Sequence, residues 1–178
     1  MPWPWMGRIG LLGVIRLYDS TRGLLEDARD AAYDYAACER QLIALRLRAE
    51  SLGGGVTTGS VGGTHAHDSM ERRVVALADR QRDIEGRMLR DERVMDLACD
   101  MLYGAGGRDG LAALVPAFWC DALWWHYLQG MTWVEVGSTL GYSAQHLKRC
   151  ATAAIEVGDA YGIVAATLGE GIAEDPTA

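Results

Sequence analysis

Gly137 and Gly141, four residues apart in the run Thr132 to Thr152 (TWVEVGSTLGYSAQHLKRCAT), constrain the fold more than any other feature of the chain. Two short helices can cross closely only if the first offers no side chain where the second presses on it, and Gly137 fills that place. The turn between them needs a residue that tolerates positive φ, and Gly141 fills that one. Val136, Leu140, Tyr142 and Leu147 fall at the offsets that would close a small core between the pair. Thr132 and Glu135 read as a T-x-x-E capping box at the start of the first helix, and Ser143 as the N-cap of the second. The pattern predicts a helix-turn-helix whose second helix is free to enter a DNA major groove. The plainer alternative is a helical hairpin that packs on its neighbours and touches no nucleic acid.

The charge balance bounds how such a unit could work. The 178 residues carry 24 acidic groups against 17 basic ones, a net charge of −7, which argues against coating DNA through general electrostatics. Residues 117–158 hold Asp121, Glu135 and Glu156 against Lys148 and Arg149, so the expected reading head is close to neutral. Residues 159–178 add Asp159, Glu170, Glu174 and Asp175 with no cation. The four cysteines (Cys38, Cys99, Cys120, Cys150) lie far apart with no C-x-x-C pair, which fits reduced thiols on helices better than a disulfide framework or a zinc site.

Residues 1–18 read as a disordered leader. The apolar run Ile9 to Ile15 is short, broken by glycines and followed by Arg16 with no small-residue cleavage site, unlike a signal peptide. No stretch approaches the ~20 apolar residues of a membrane span. A cytoplasmic protein without a membrane partner is expected.

Residues 19–102 read as a helical hairpin of coiled-coil type around a flexible loop, 53–67. From Asp19 or Ser20 as cap, Ala28, Ala31, Tyr35, Cys38, Leu42, Leu45, Ala49 and Leu52 alternate spacings of three and four, the period of a coiled-coil seam. The segment GGGVTTGSVGG follows. A second helix starts near Asp68, with the seam Met70, Val74, Leu77, Gln81, Ile84, Met88, Asp91, Met95, Ala98 and Leu102; Gln81 and Asp91 are polar interruptions of the kind that fix register. The arginines of this helix read as a solvated face paired locally with Asp79, Asp83, Glu85 and Asp96. A narrow seam leaves room for a homodimer.

Residues 103–110 read as a linker. Its glycines lack a G-K-[ST] ending and follow a helix, which excludes a phosphate-binding loop. Pro116 suits the first turn of an aromatic-rich helix reaching about Leu128, and residues 111–158 then make a tri-helical DNA-binding domain. The remainder, 159–178, reads as an acidic tail with a short helix between Ala160 and Leu168. The fold class expected is therefore all-α, a long antiparallel hairpin followed by a helix-turn-helix domain.

No catalytic pattern is present: there is no G-x-S-x-G, H-E-x-x-H or P-loop. His65, His67 and Asp68 form an H-x-H-D cluster without clear further ligands, so no metal or cofactor is expected. The reading is of a protein that is not an enzyme.

The run LWWHYLQGMTWVEVGSTLGYSAQHLKRCATAAIEV resembles the C-terminal half of phage and prophage late-gene transcription regulators of the ArpU and RinA kind, itself similar to region 4 of bacterial sigma factors. The shared features are an aromatic helix ending in Y-L-x-G, then T-W-x-x-V, the L-G-Y-S turn, and a helix with H-L-K-R before A-A-I. The resemblance implies binding to double-stranded promoter DNA in concert with host RNA polymerase. Ser143 to Val157 would be the recognition helix, with Ser143, Ala144, Gln145, His146, Lys148 and Arg149 nearest the DNA. Gln145 can pair with adenine, and Arg149 with guanine or a phosphate. Lys148 suits a phosphate, and Thr132 and Ser143 place helix N-termini against backbone oxygens. Leu147 and Cys150 would face inward. Two other readings remain: a packaging component resembling a small terminase subunit, and an adaptor that grips RNA polymerase without binding DNA itself.

Overall fold

The computed structural model describes residues 18–53, 64–107 and 109–168, with side-chain environments for all of these except residues 52, 53 and 64–71. The leader before Tyr18, the glycine-rich segment 54–63, the end of the acidic tail after Leu168 and the side chains of His65, His67 and Asp68 lie outside the described residues. The fold is all-α. Helix α1 spans Thr21–Gly53 and α2 spans Thr64–Tyr103. A 3-10 turn at Leu111–Ala113 leads to α3 (Ala117–Leu123), which continues as a π-helical turn, Trp124–Leu128. Three more helices follow: α4 (Trp133–Leu140), α5 (Ala144–Tyr161) and α6 (Ile163–Leu168). Among the described residues no helix is long and apolar enough to cross a membrane.

The chain divides into two compact units. The second, residues 33–92, is the hairpin proper. Its seam follows the expected period: Cys38, Leu42 and Ile84 are buried together, with Leu45 and Met88 packed against them. The antiparallel pairing is fixed at the flank by a hydrogen bond from Arg87 Nη2 to Gln41 Oε1 at 3.3 Å. Desolvation, and then repulsion from the Asp34 carboxylate, raise the Asp91 pKa against the pull of Arg90 and Arg87. Burial thins away from this centre. Val74, expected on the seam, is 54% exposed, and Ala49 is exposed as well.

The first unit takes residues 18–32 and 93–168. The division therefore falls inside the long helices, where the expected one ran from 19 to 102. The reason is packing. Leu24, Leu25 and Ala28 of α1, and Leu97, Ala98, Met101 and Leu102 of α2, share one core with Leu123, Tyr127, Ala154 and Ile155. Burial on α2 broadens here from one residue in every three or four to adjacent pairs, because the C-terminal helices cover a second side of it.

Two further boundaries differ from expectation. The segment 103–110 is no free linker: Gly104 and Gly110 are buried, and Leu111 after them is fully buried in the core. The short helix expected between Ala160 and Leu168 is present as α6, but it packs Ile163 and Ala166 into the same core, and α5 runs on to Tyr161, past the expected boundary at residue 158. The first helix is capped by Ser20, whose Oγ accepts the Gly23 N–H at 3.1 Å.

Candidate nucleic-acid interface

Every cap in the Thr132 to Ser143 region follows from its residue type. Thr132 Oγ1 accepts the Glu135 backbone N–H, and Glu135 Oε2 accepts the Thr132 N–H at 2.7 Å, completing the reciprocal capping box. Glu135 is fully exposed, yet the backbone N–H and then the hydroxyl of Thr132 hold its carboxylate below the usual glutamate range. Ser143 Oγ accepts the His146 N–H at 3.2 Å and starts α5.

The two glycines have different physical reasons. A Cβ on Gly137 would sit 2.6 Å from the Tyr142 carbonyl oxygen and 3.3 Å from the Ala144 nitrogen, so the turn itself presses on α4 there. Gly141 has φ +75° with open space around it; its requirement is conformational rather than steric. Its N–H and that of Tyr142 both close on the Gly137 carbonyl, ending α4.

Val136 and Leu147 are buried with Ala122 of α3, and Phe118, Trp125, Met131, Trp133 and Leu140 pack around them. Tyr142, expected in this core, departs from it. It is 44% exposed and stacks its ring on Phe118 at 5.0 Å. The geometry explains the difference: Gly141 turns the chain outward just before Tyr142, so the ring covers the outer edge of α3.

The expected reading surface of α5 divides cleanly. Leu147 and Cys150 face inward and are buried; Ser143, Gln145, His146, Lys148 and Arg149 are exposed, as is Thr132, and Ala144 is half-buried under Gly137. Gln145, Lys148 and Arg149 make no side-chain hydrogen bond or ion pair among the described residues and form one exposed edge. His146 differs from them. It stacks on Tyr142 and Phe118 at 5.6 and 6.3 Å, and its Nε2 lies 3.4 Å from the Cys150 Sγ. Its ring is thus engaged by its own fold.

The structure adds residues that spacing alone does not reveal. His126, in the π-helical turn, stacks on Trp133 at 4.0 Å, and its Nδ1 bonds the Met131 carbonyl at 2.7 Å. Burial, aided by the nearby charges of Arg29 and Lys148, lowers its pKa despite the opposing pull of that carbonyl, so the ring is neutral. A neutral ring bonded to a carbonyl donates Nδ1–H. Arg29 of α1 lies over the Tyr127 ring at 5.9 Å while pairing with Asp30. Only folding brings α1 to this place; no local pattern could announce it.

All four cysteines are free. Burial pushes the Cys120 thiol up to about 12 and raises that of Cys99, so neither is a nucleophile at neutral pH. The Tyr103 phenol is held protonated by burial and by donating to Asp121 Oδ1 at 2.8 Å. Among the described residues no group of three His, Cys, Asp or Glu side chains could hold a metal ion. No family model, curated protein or solved structure matches this chain.

Proposed function

We propose that the chain is a sequence-specific DNA-binding regulator of transcription, of the late-gene kind found in phages and prophages, acting in the cytoplasm. The single observation that carries this reading is the open edge of Gln145, Lys148 and Arg149 beside a helix crossing held tight by Gly137. The fold fixes the helix through Leu147 and Cys150 and leaves these long polar side chains toward solvent, the disposition a reading helix requires. Gln145 has the donor and acceptor to read adenine, Arg149 can read guanine or hold a phosphate, and Lys148 suits a phosphate. The late-gene assignment rests on the resemblance of residues 123–157 to the ArpU and RinA kind of regulator.

The test is a gel-shift assay on promoter fragments from the gene cluster that encodes the chain. Gln145→Ala and Arg149→Ala should each weaken specific binding by roughly 10-fold or more, the value of one good bidentate contact, with the helical circular dichroism intact. Failure of the wild type to occupy any promoter, with host RNA polymerase present, would sink the reading.

A second reading is favoured by the head's own charge. With Asp121, Glu135 and Glu156 against Lys148 and Arg149, the same edge could grip RNA polymerase as an adaptor. It predicts a stable polymerase complex without DNA binding even at low salt. A small-terminase-like packaging role predicts a ring of many copies, whereas the regulator is a monomer or homodimer; mass in solution separates them.

A further inference from the structure

In an antiparallel helix pair the residues flanking the seam face one another, and stability favours opposite charges there. On α2 one flank repeats Arg73, Arg80 and Arg87 at intervals of seven, while the other repeats Glu85 and Glu92. Opposite Arg87 stands Gln41, as the hydrogen bond between them shows. Seven residues further along α1 the same line carries Arg48. Arg48, Arg73 and Arg80 accordingly converge from both helices on one groove of about 720 Å³, whose other lining residues are Leu45, Ala76 and Leu77.

Among the described residues no carboxylate lines that groove, and none of the three arginines forms an ion pair. The local pairing expected for this face is made by Arg82, at 3.1 Å from Asp79, and the Asp91 carboxylate lies near Arg87 and Arg90. Three like charges facing across a helix pair repel, and among the described residues no ion pair compensates them. The arrangement is one of a site whose counter-charge comes from outside.

We propose that the groove lined by Arg48, Arg73 and Arg80 binds the phosphodiester backbone of duplex DNA without regard to sequence. The inference rests on the DNA-binding reading above and supplies what the near-neutral head lacks. The apolar floor is compatible with it, because arginine stems lie along apolar surface and leave the guanidinium groups at the edge. The cations also continue past the groove: Arg80 is shared with an adjoining hollow lined by Arg82, Asp83, Gly86, Arg87 and Arg90. Arg73, Arg80 and Arg87 recur at roughly 10 Å along the helix axis, an extended line suited to a polyanion rather than to one acidic side chain. Bidentate guanidinium–phosphate pairing needs no base contact, so it would add affinity and not specificity.

The experiment measures binding of the full chain to a fluorescent duplex of random sequence by anisotropy over a salt series. The triple variant Arg48→Gln, Arg73→Gln, Arg80→Gln should bind more weakly at low salt, with a log–log salt slope shallower by roughly 2 to 3, since each phosphate contact contributes ~0.9. The triple Lys variant should keep the slope, because a point charge still neutralises a phosphate. The thermal midpoint of the Gln variant should stay the same or rise as the repulsion is relieved; a clear fall would mean that the arginines are structural and would overturn the proposal. A slope unchanged in the Gln variant would also overturn it, leaving the head as the DNA contact. So would a variant that binds DNA normally but loses a complex with RNA polymerase, which would assign the groove to an acidic protein surface. A wild type that binds no duplex of any sequence sinks both this inference and the reading it rests on.

Discussion

Asp159 Oδ1 accepts the backbone N–H of Thr21 at 2.6 Å, joining the far end of α5 to the first turn of α1 across 138 residues of sequence. The contact is tight on its other side as well. Thr21 is fully buried and its side chain meets Gly158, where an added Cβ would stand 2.7 Å from Oγ1 and 3.1 Å from Cγ2. Among the described residues the Thr21 hydroxyl has no hydrogen-bond partner. A free helix N-terminal N–H is thus satisfied by a carboxylate from a distant helix, which also favours that end of the α1 dipole.

This pair gives a prediction whose sign reverses with context. Gly158→Ala alone should destabilise the protein by about 1–3 kcal/mol, because the clash outweighs the ~1 kcal/mol gained from alanine's better helix propensity. Thr21→Ala should cost little, since it deletes an unsatisfied hydroxyl along with one methyl group. The double variant should then be at least as stable as the wild type. Urea unfolding of the four proteins checks this, and additive losses would show that the close approach is not what forbids a side chain at 158.

The glycines of the turn should separate by mechanism. Gly137→Ala places a methyl against the fixed carbonyl of Tyr142 and should cost about 2–4 kcal/mol and abolish DNA binding. Gly141→Ala meets nothing and should cost only the ~1–2 kcal/mol of a left-handed residue. Asparagine, which tolerates that conformation, should recover part of the loss at 141 and none at 137. Thermal melts and gel shifts on the same panel measure both quantities.

How far these features were legible in the sequence depends on the range of the interaction. The Thr132–Glu135 box, the Ser143 cap, the inward Leu147 and the hairpin seam at Cys38, Leu42 and Ile84 are local or periodic, and each stands where its spacing predicts. The split of the chain near residues 32 and 93 could not be read that way. Ala28 and Ala98 look like any seam residues until the C-terminal helices complete the core around them. Tyr142 departs from its spacing for a related reason: its offset suits a core position, but the ring stacks on Phe118, a partner 24 residues earlier. The convergence of Arg48 with Arg73 and Arg80 needs the pairing register of two helices joined through the glycine-rich segment, and neither helix alone carries that information.

His126 should give the first unit a measurable dependence on pH. Its pKa is lowered from 6.5 in the folded state, so the native protein takes up its proton less readily than the unfolded chain. The stability it contributes is full above about pH 6.5 and is lost as pH falls through the lower folded value. Asp91, Asp96 and Asp100, whose pKa values burial raises, act in the opposite sense at more acidic pH. Stability curves of wild type and His126→Gln should therefore converge on acidification from pH 7 toward 5, the variant being weaker at neutral pH by about 1 kcal/mol for the lost Trp133 stack. Parallel curves would mean that the ring titrates equally in both states.

The central claim is that the open edge of α5 reads base sequence, and selection of bound duplexes from a random-sequence pool tests it most directly. The account predicts that the wild type enriches one common motif, and that Gln145→Ala loses preference at an adenine within it while leaving the other positions unchanged. Enrichment of no motif, at low salt and with RNA polymerase added, would contradict it.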